Sequence, residues 1–301
     1  MTLRIAALPL VLILAGCAAG PQKPAPVSES APTPPPTEVK PAGPAANDNL
    51  NATLWAQRAL EHDLVYRQTY LQAQQELLKA LKDKTWDALP KGERKAKAGS
   101  LPPAVIVDID ETVLDNSPYQ ARLVRDNKEF DEFEWDKWCR EEAATALPGA
   151  LEFAQFAAKH GVTMFYLTNR AQHLNEVTLD NLKKAGFPIS AKETVFYGLG
   201  TVVKDCEANG SNKGCRRELI GRSHRVLLMA GDQLSDFVDL DVNTLDGRAA
   251  AVQPYLNWFG ERWFALPNAT YGSYENAVIG NARDKPLNER RQVKLDALRV
   301  N

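Results

Sequence analysis

The chain has 301 residues, 44% of them hydrophobic and 25% charged, which suits one sizeable core with additions. Its formal net charge of -2 supplies no bulk field to recruit a nucleic acid polymer or an anionic lipid surface. An anionic ligand would therefore have to be held by local groups such as a metal, a lysine or backbone amides.

At the N-terminus, Arg4 precedes the apolar run Ile5 to Leu14 and then Ala15-Gly16-Cys17. A basic start, a short apolar stretch and small residues make an export signal, and the run is too short to span a bilayer. Leu14-Ala15-Gly16-Cys17 resembles the lipobox of bacterial lipoproteins, which implies lipidation of Cys17 after removal of residues 1–16. An ordinary secretory signal is the alternative. Ala18 follows the cysteine. With no aspartate there to suggest inner-membrane retention, analogy with enteric bacteria implies an outer-membrane anchor facing the periplasm or cell surface. Residues 18–46 hold nine of the nineteen prolines and almost no large apolar side chains, so they read as a disordered tether.

A helical segment is expected within 47–100. Leu60, Leu64, Leu71 and Leu78, with Leu77 and Leu81, recur at three- to four-residue steps across a polar background and predict a helix over 50–85. A core domain is expected over 101–280, with a tail after it. Ala104–Val107, Val162–Leu167, Thr194–Tyr197 and Val226–Met229 read as strands. Leu151–His160, Val177–Ala185 and Arg216–Gly221 read as helices, the first two closed by Gly161 and Gly186. That alternation predicts an α/β fold: a Rossmann-like parallel sheet with helices on both faces. The long interval after the first strand, about 116–147, contains Trp135 and Trp138 and reads as a cap insert. A mainly helical cap or second subdomain is expected from this insert and the N-terminal helix.

Of the four cysteines, Cys17 is assigned to lipid. Cys206 and Cys215 flank an Asn/Gly/Ser-rich loop, where either a local disulfide or free thiols fit an exported chain, and Cys139 reads as buried and free. No spacing suits zinc.

Three predicted strands end in reactive side chains: Asp108-Ile109-Asp110-Glu111-Thr112, Thr168-Asn169-Arg170, and Gly231-Asp232-Gln233-Leu234-Ser235-Asp236. In an open α/β sheet these ends converge on one crevice. A calcium loop is excluded, because Val113 and Tyr119 stand where such a loop starting at Asp108 needs Gly and Glu.

The ordered set resembles the haloacid dehalogenase superfamily of phosphohydrolases. Receiver domains use similar groups but place their threonine and lysine after all the aspartates. The run Val107-Asp-Ile-Asp-Glu-Thr-Val-Leu-Asp-Asn-Ser-Pro-Tyr119, the block Leu266-Pro-Asn-Ala-Thr-Tyr-Gly272 and the lipobox are similar to the class C bacterial acid phosphatases, the lipoprotein 5′-nucleotidase family.

The resemblance implies a haloacid dehalogenase-like fold and a Mg²⁺-dependent acid phosphatase working through an aspartyl-phosphate. Asp108 would be nucleophile and metal ligand; Asp110 would be general acid and base, with its carbonyl on the metal. Asp232 would be the other metal carboxylate, and Asp236 would support the metal's waters or the lysine. Thr168, with Asn169 beside it, would meet the phosphoryl group. Lys213, in Ser211-Asn212-Lys213, matches the family's lysine, with Lys204 as competitor. Trp135 and Tyr271 match the aromatics that clasp a substrate ring, although both equally suit core packing.

The substrate implied is a small phosphomonoester, including nucleoside 5′-monophosphates, and a homodimer is implied as well. Two other readings stand beside hydrolysis: a catalytically inactive nucleotide- or partner-binding surface lipoprotein, and transfer of the phosphoryl group to an alcohol.

Overall fold

The computed structural model describes residues 46–95, 97–207 and 210–301. The export signal, Cys17 and all but the last residue of the proline-rich tether lie outside the described residues.

Two helices come first, α1 (Leu50–Arg58) and α2 (Leu60–Lys82), broken where Ala59 adopts an extended backbone. Strand β1 (Pro103–Val107) follows the loop. The insert after it contains β2 (Leu114–Asp115), α3 (Ser117–Asp126), α4 (Glu132–Glu141) and β3 (Thr145–Ala146), with β2 and β3 paired antiparallel at its base. Pro118 opens α3, and the Asp131 carboxylate caps α4 by accepting from the N–H groups of Phe133 and Glu134.

The chain then alternates: α5 (Ala150–Lys159), β4 (Thr163–Ala171), α6 (Asn175–Lys184), β5 (Phe196–Leu199), α7 (Gly214–Ser223), β6 (Arg225–Gly231), α8 (Leu245–Val252) and β7 (Trp263–Ala265). Helices α9 (Ser273–Val278) and α10 (Leu287–Asp296) end it, the latter within the stretch read as a tail.

Five strands form one parallel sheet in the order β5-β4-β1-β6-β7. Every residue of β6 is buried, as are four of the five in β1, which explains their unbroken apolar runs. The connections through α5 and α6 step one way across the sheet, and that through α7 steps back. Right-handed crossovers therefore put α7 on the opposite face. Strand β7, with buried Trp263 and Phe264, is a fifth strand that the sequence reading did not include.

Helix α2 forms where expected, with Leu77 buried and Leu81 half-buried against the core, but the other four leucines face outward. Leu60, Leu64, Leu71 and Leu78 are 66%, 51%, 59% and 39% exposed. The buried face is His62, Tyr66, Tyr70, Ala73, Glu76, Leu77 and Ala80. That second stripe has the same helical spacing, and its alanines let the helix approach α5, β6 and β7 closely. Helix α1 instead meets α3 of the insert.

Candidate active site

The site forms at the carboxyl ends of β1, β4 and β6, where neighbouring parallel strands stop together. Asp108 is the first residue past β1, and its N–H donates to the Ala230 carbonyl on β6 at 2.9 Å. Asp232 follows directly on β6, and a single turn, Leu234–Asp236, returns Asp236 beneath it. Gly231 is required here, because a Cβ at that position would overlap the Asp236 carboxylate.

Lys213 enters from the residue before α7 and is 2% exposed. Its Nζ donates to Asp108 Oδ1 at 2.5 Å and to the Leu167 carbonyl at 2.6 Å, and it lies 2.8 Å from Asp236 Oδ1. Burial works against the charge on Lys213, and Asp108 and Asp236 more than offset it, so its pKa is raised. Lys204 is exposed on the preceding loop, and its carbonyl accepts from Arg222.

Asp232 accepts from Gln233 Nε2 at 2.7 Å, Asn268 Nδ2 at 2.9 Å and Thr112 Oγ1 at 3.4 Å. Asp108, Asp232 and Asp236 each offer an oxygen within 4.8 Å of the others. Burial raises the Asp108 pKa well above the usual carboxylate range; Lys213 opposes this, while Asp236, Asp232 and Asp110 add to it. Burial and the neighbouring Asp236 push Asp232 up to about 7. One lysine therefore leaves the carboxylates with unbalanced negative charge. A hard divalent cation fits that deficit and this all-oxygen donor set.

The Asp110 carboxyl stands outside that trio. It accepts from Arg170 Nη2 at 2.7 Å and from Asn116 Nδ2 at 2.8 Å, which leaves its main-chain carbonyl as the group the resemblance assigns to a metal. Thr168 is fully buried, and its Oγ1 accepts from the Arg170 N–H at 3.0 Å, so the hydroxyl proton is free to donate. The Asn169 side-chain oxygen, Oδ1, accepts from Arg216 Nη2 at 2.7 Å. Arg216 also donates to the Thr168 carbonyl at 2.5 Å, fixing the end of β4.

Trp135 is half-buried and meets Tyr119 edge-on at 5.1 Å. Tyr271 is half-buried too, and its phenol donates to Glu111 Oε2. Tyr271 thus borders the loop 108–112 through Glu111, whereas Trp135 packs against Tyr119, Phe130 and the Arg170 guanidinium.

That loop is held from behind by α2. The Tyr66 hydroxyl donates to the Glu111 carbonyl at 2.5 Å, and the Tyr70 hydroxyl to the Thr112 carbonyl at 2.6 Å. Glu111 has a φ of 51°, a left-handed conformation unusual for a side-chain-bearing residue, held by these contacts at both its ends.

Sequence reasoning assigned no role to Arg170, Glu111, Asn116, Asn268, Tyr66 or Tyr70. Arg170 had an available signal, since it lies two positions after Thr168 and so leaves the strand on the same face. Glu111, Asn116 and Asn268 lie within the motif blocks quoted above, whereas Tyr66 and Tyr70 on α2 reach the site only through folding.

A family model for the HAD superfamily, subfamily IIIB (acid phosphatase), matches residues 45–274. The class C acid phosphatase from Bacillus anthracis superposes with a TM-score of 0.71 at 31% identity, covering 84% of this chain and 97% of that one. Its tungstate-bound crystal structure matches equally well. Acid phosphatase 1 of Solanum lycopersicum is 33% identical over 133 residues, 44% of this chain and 51% of that protein. A stem 31 kDa glycoprotein of Glycine max is 30% identical over 166 residues, 55% of this chain and 58% of that protein. The chain thus spans about half the length of these plant relatives.

Proposed function

The chain belongs to the acid phosphatases of HAD superfamily subfamily IIIB, and from that premise we propose that it hydrolyses phosphomonoesters, nucleoside 5′-monophosphates among them, through a phosphorylated aspartate. The observation that carries this reading is the placement of Lys213 against both Asp108 and Asp236, beside Asp232. A tetrahedral oxyanion, tungstate, is bound in the Bacillus anthracis relative's structure, which supports an anion of phosphate's size and charge here.

Asp108 Oδ attacks phosphorus as the bond to the leaving oxygen breaks, and Asp110 gives that oxygen a proton. A water then attacks the aspartyl-phosphate, Asp110 takes its proton, and the bond from phosphorus to Asp108 breaks. Lys213 and the Thr168 hydroxyl hold charge on the transferring oxygens, and burial of both strengthens that interaction. Mg²⁺ is the cation we propose for the carboxylates of Asp108 and Asp232 and the carbonyl of Asp110; when bound it neutralises charge between substrate and enzyme.

Trp135 and Tyr271 are proposed to clasp the substrate's ring. Export and lipid anchoring at Cys17 belong to the same proposal. The Cys206–Cys215 disulfide supports residence in an oxidising compartment.

Some relatives are named stem glycoproteins and a vegetative storage protein, which keeps a non-catalytic role as the competing reading. Asp108→Asn separates the two. With 4-nitrophenyl phosphate and added Mg²⁺, wild-type protein is expected to turn over many times. The variant should lose at least about 10³-fold of kcat at an unchanged circular dichroism spectrum. Equal turnover by both proteins would reject the nucleophile assignment.

A further inference from the structure

Arg170 is buried on β4, and a buried guanidinium requires acceptors. Asp110 supplies most of them. Nη2 and Nε of Arg170 donate to Asp110 Oδ1 at 2.7 and 3.0 Å, while Nε reaches Oδ2 only at 3.3 Å. Asn116 Nδ2 gives Oδ1 a third donor at 2.8 Å. The orientation of Asn116 is fixed in turn, because its own oxygen accepts from the Trp138 indole N–H at 2.7 Å and from Arg170 Nη2 at 3.2 Å. On its far side Arg170 donates to Thr178 Oγ1 at 3.3 Å, and its guanidinium carbon lies 5.3 Å from the centre of the Trp135 ring.

The two oxygens of Asp110 are therefore unequal. Oδ1 has three donors at 3.0 Å or less, and Oδ2 has one long contact. We propose that Arg170 is a positioning residue for proton transfer: with Asn116 it clamps Asp110 by Oδ1 and leaves Oδ2 to exchange the proton. This rests on the phosphatase reading above.

As the Asp108–phosphorus bond forms, the electron pair of the breaking bond goes to the leaving oxygen, and the Oδ2 proton moves onto it. Asp110 is left as a carboxylate facing Arg170. In the second half water returns a proton to Oδ2 as its oxygen bonds phosphorus and the Asp108–phosphorus bond breaks. Arginine suits this task because it stays ionised and its planar fork fixes the angle of the carboxylate, which lysine cannot do.

The test is a leaving-group series from 4-nitrophenyl phosphate, whose anion departs unaided, to alkyl phosphates, whose alkoxides need a proton. Arg170→Lys is expected to lose about 10²-fold of kcat on an alkyl phosphate and less than about 5-fold on 4-nitrophenyl phosphate. In an Asp110→Asn background the same change should cost nothing further on the alkyl phosphate. Asn116→Ser removes one donor while keeping Arg170; it should show the same selective loss on a smaller scale, and it serves as the test if Arg170→Lys does not fold. Equal losses across the series, full additivity in the double variant, or wild-type kinetics in both single variants would each overturn the proposal. A wild-type protein that releases phosphate from none of the series would overturn the phosphatase reading, and this inference with it.

Discussion

Asp232 shows how individual residues in this site trade stability for a task. Its carboxyl sits among other acids, and burial together with Asp236 holds its pKa up to about 7, against about 4 in an unfolded chain. A raised pKa means that the folded protein binds the proton more tightly than the unfolded one. The resulting stabilisation is complete below about pH 4 and is lost as pH rises through about 7. Asp108 and Glu111, both raised mainly by burial, act in the same direction. His224, lowered mainly by burial, acts in the opposite one.

The clean measurement is therefore a difference between two proteins in chelator. The melting temperature of Asp232→Asn minus that of wild type should grow between about pH 4 and pH 7. Added Mg²⁺ should shrink the difference, more so at the higher pH, because protons compete for the same oxygens. A difference that stays flat over that range would mean Asp232 is not desolvated as described.

At this scale the sequence was informative wherever a residue stood at a strand end in a fixed order, as Asp108, Thr168 and Asp232 do. It was silent on Glu111, although that residue adjoins Asp110. Its task comes from Tyr66, Tyr271 and the Asn116 N–H, all brought to it by folding.

Among the elements, α2 separates what periodicity reveals from what it hides. Two stripes with helical spacing run along it, one of leucines and one of Tyr66, Tyr70, Ala73, Leu77 and Ala80. Hydropathy favours the leucines. Contact geometry selects the other stripe, because small residues let the helix lie close to the sheet and two phenols can then reach the loop 108–112.

The two faces predict opposite mutational results. Leu77→Ala, at a fully buried position, should lower the free energy of unfolding by about 2–5 kcal/mol in urea titrations. Leu71→Gln, on the open face, should change it by no more than about 0.5 kcal/mol. A large loss from Leu71→Gln would return the leucine stripe to the interior. The strands were easier to read, since β1 and β6 are buried on both faces and show as apolar runs. Strand β7 was not, because a three-residue run around Trp263 carries no period.

Across the whole molecule, the chemistry depends on segments that are distant in sequence holding still together, and the Cys206–Cys215 link bears on that directly. The disulfide joins the loop after β5 to the first turn of α7, two residues beyond Lys213. Helix α7 is otherwise anchored through Arg217, which lies 2.7 Å from Glu93 and 2.9 Å from Asp239 and donates to the carbonyls of Ser235 and Asp236. The link therefore adds a covalent restraint to the turn that follows Lys213.

A closed loop of this length should contribute about 2–4 kcal/mol by limiting the unfolded chain. Reductant is expected to lower the urea midpoint of wild-type protein accordingly, and to leave a Cys206→Ser, Cys215→Ser variant unmoved. That variant should also lose kcat more than it gains KM, because a wandering Lys213 weakens the transition state more than the encounter with substrate. An unchanged midpoint and unchanged turnover in the variant would show that the ion pairs alone position the lysine. The link would then have no bearing on catalysis in whatever compartment the protein occupies.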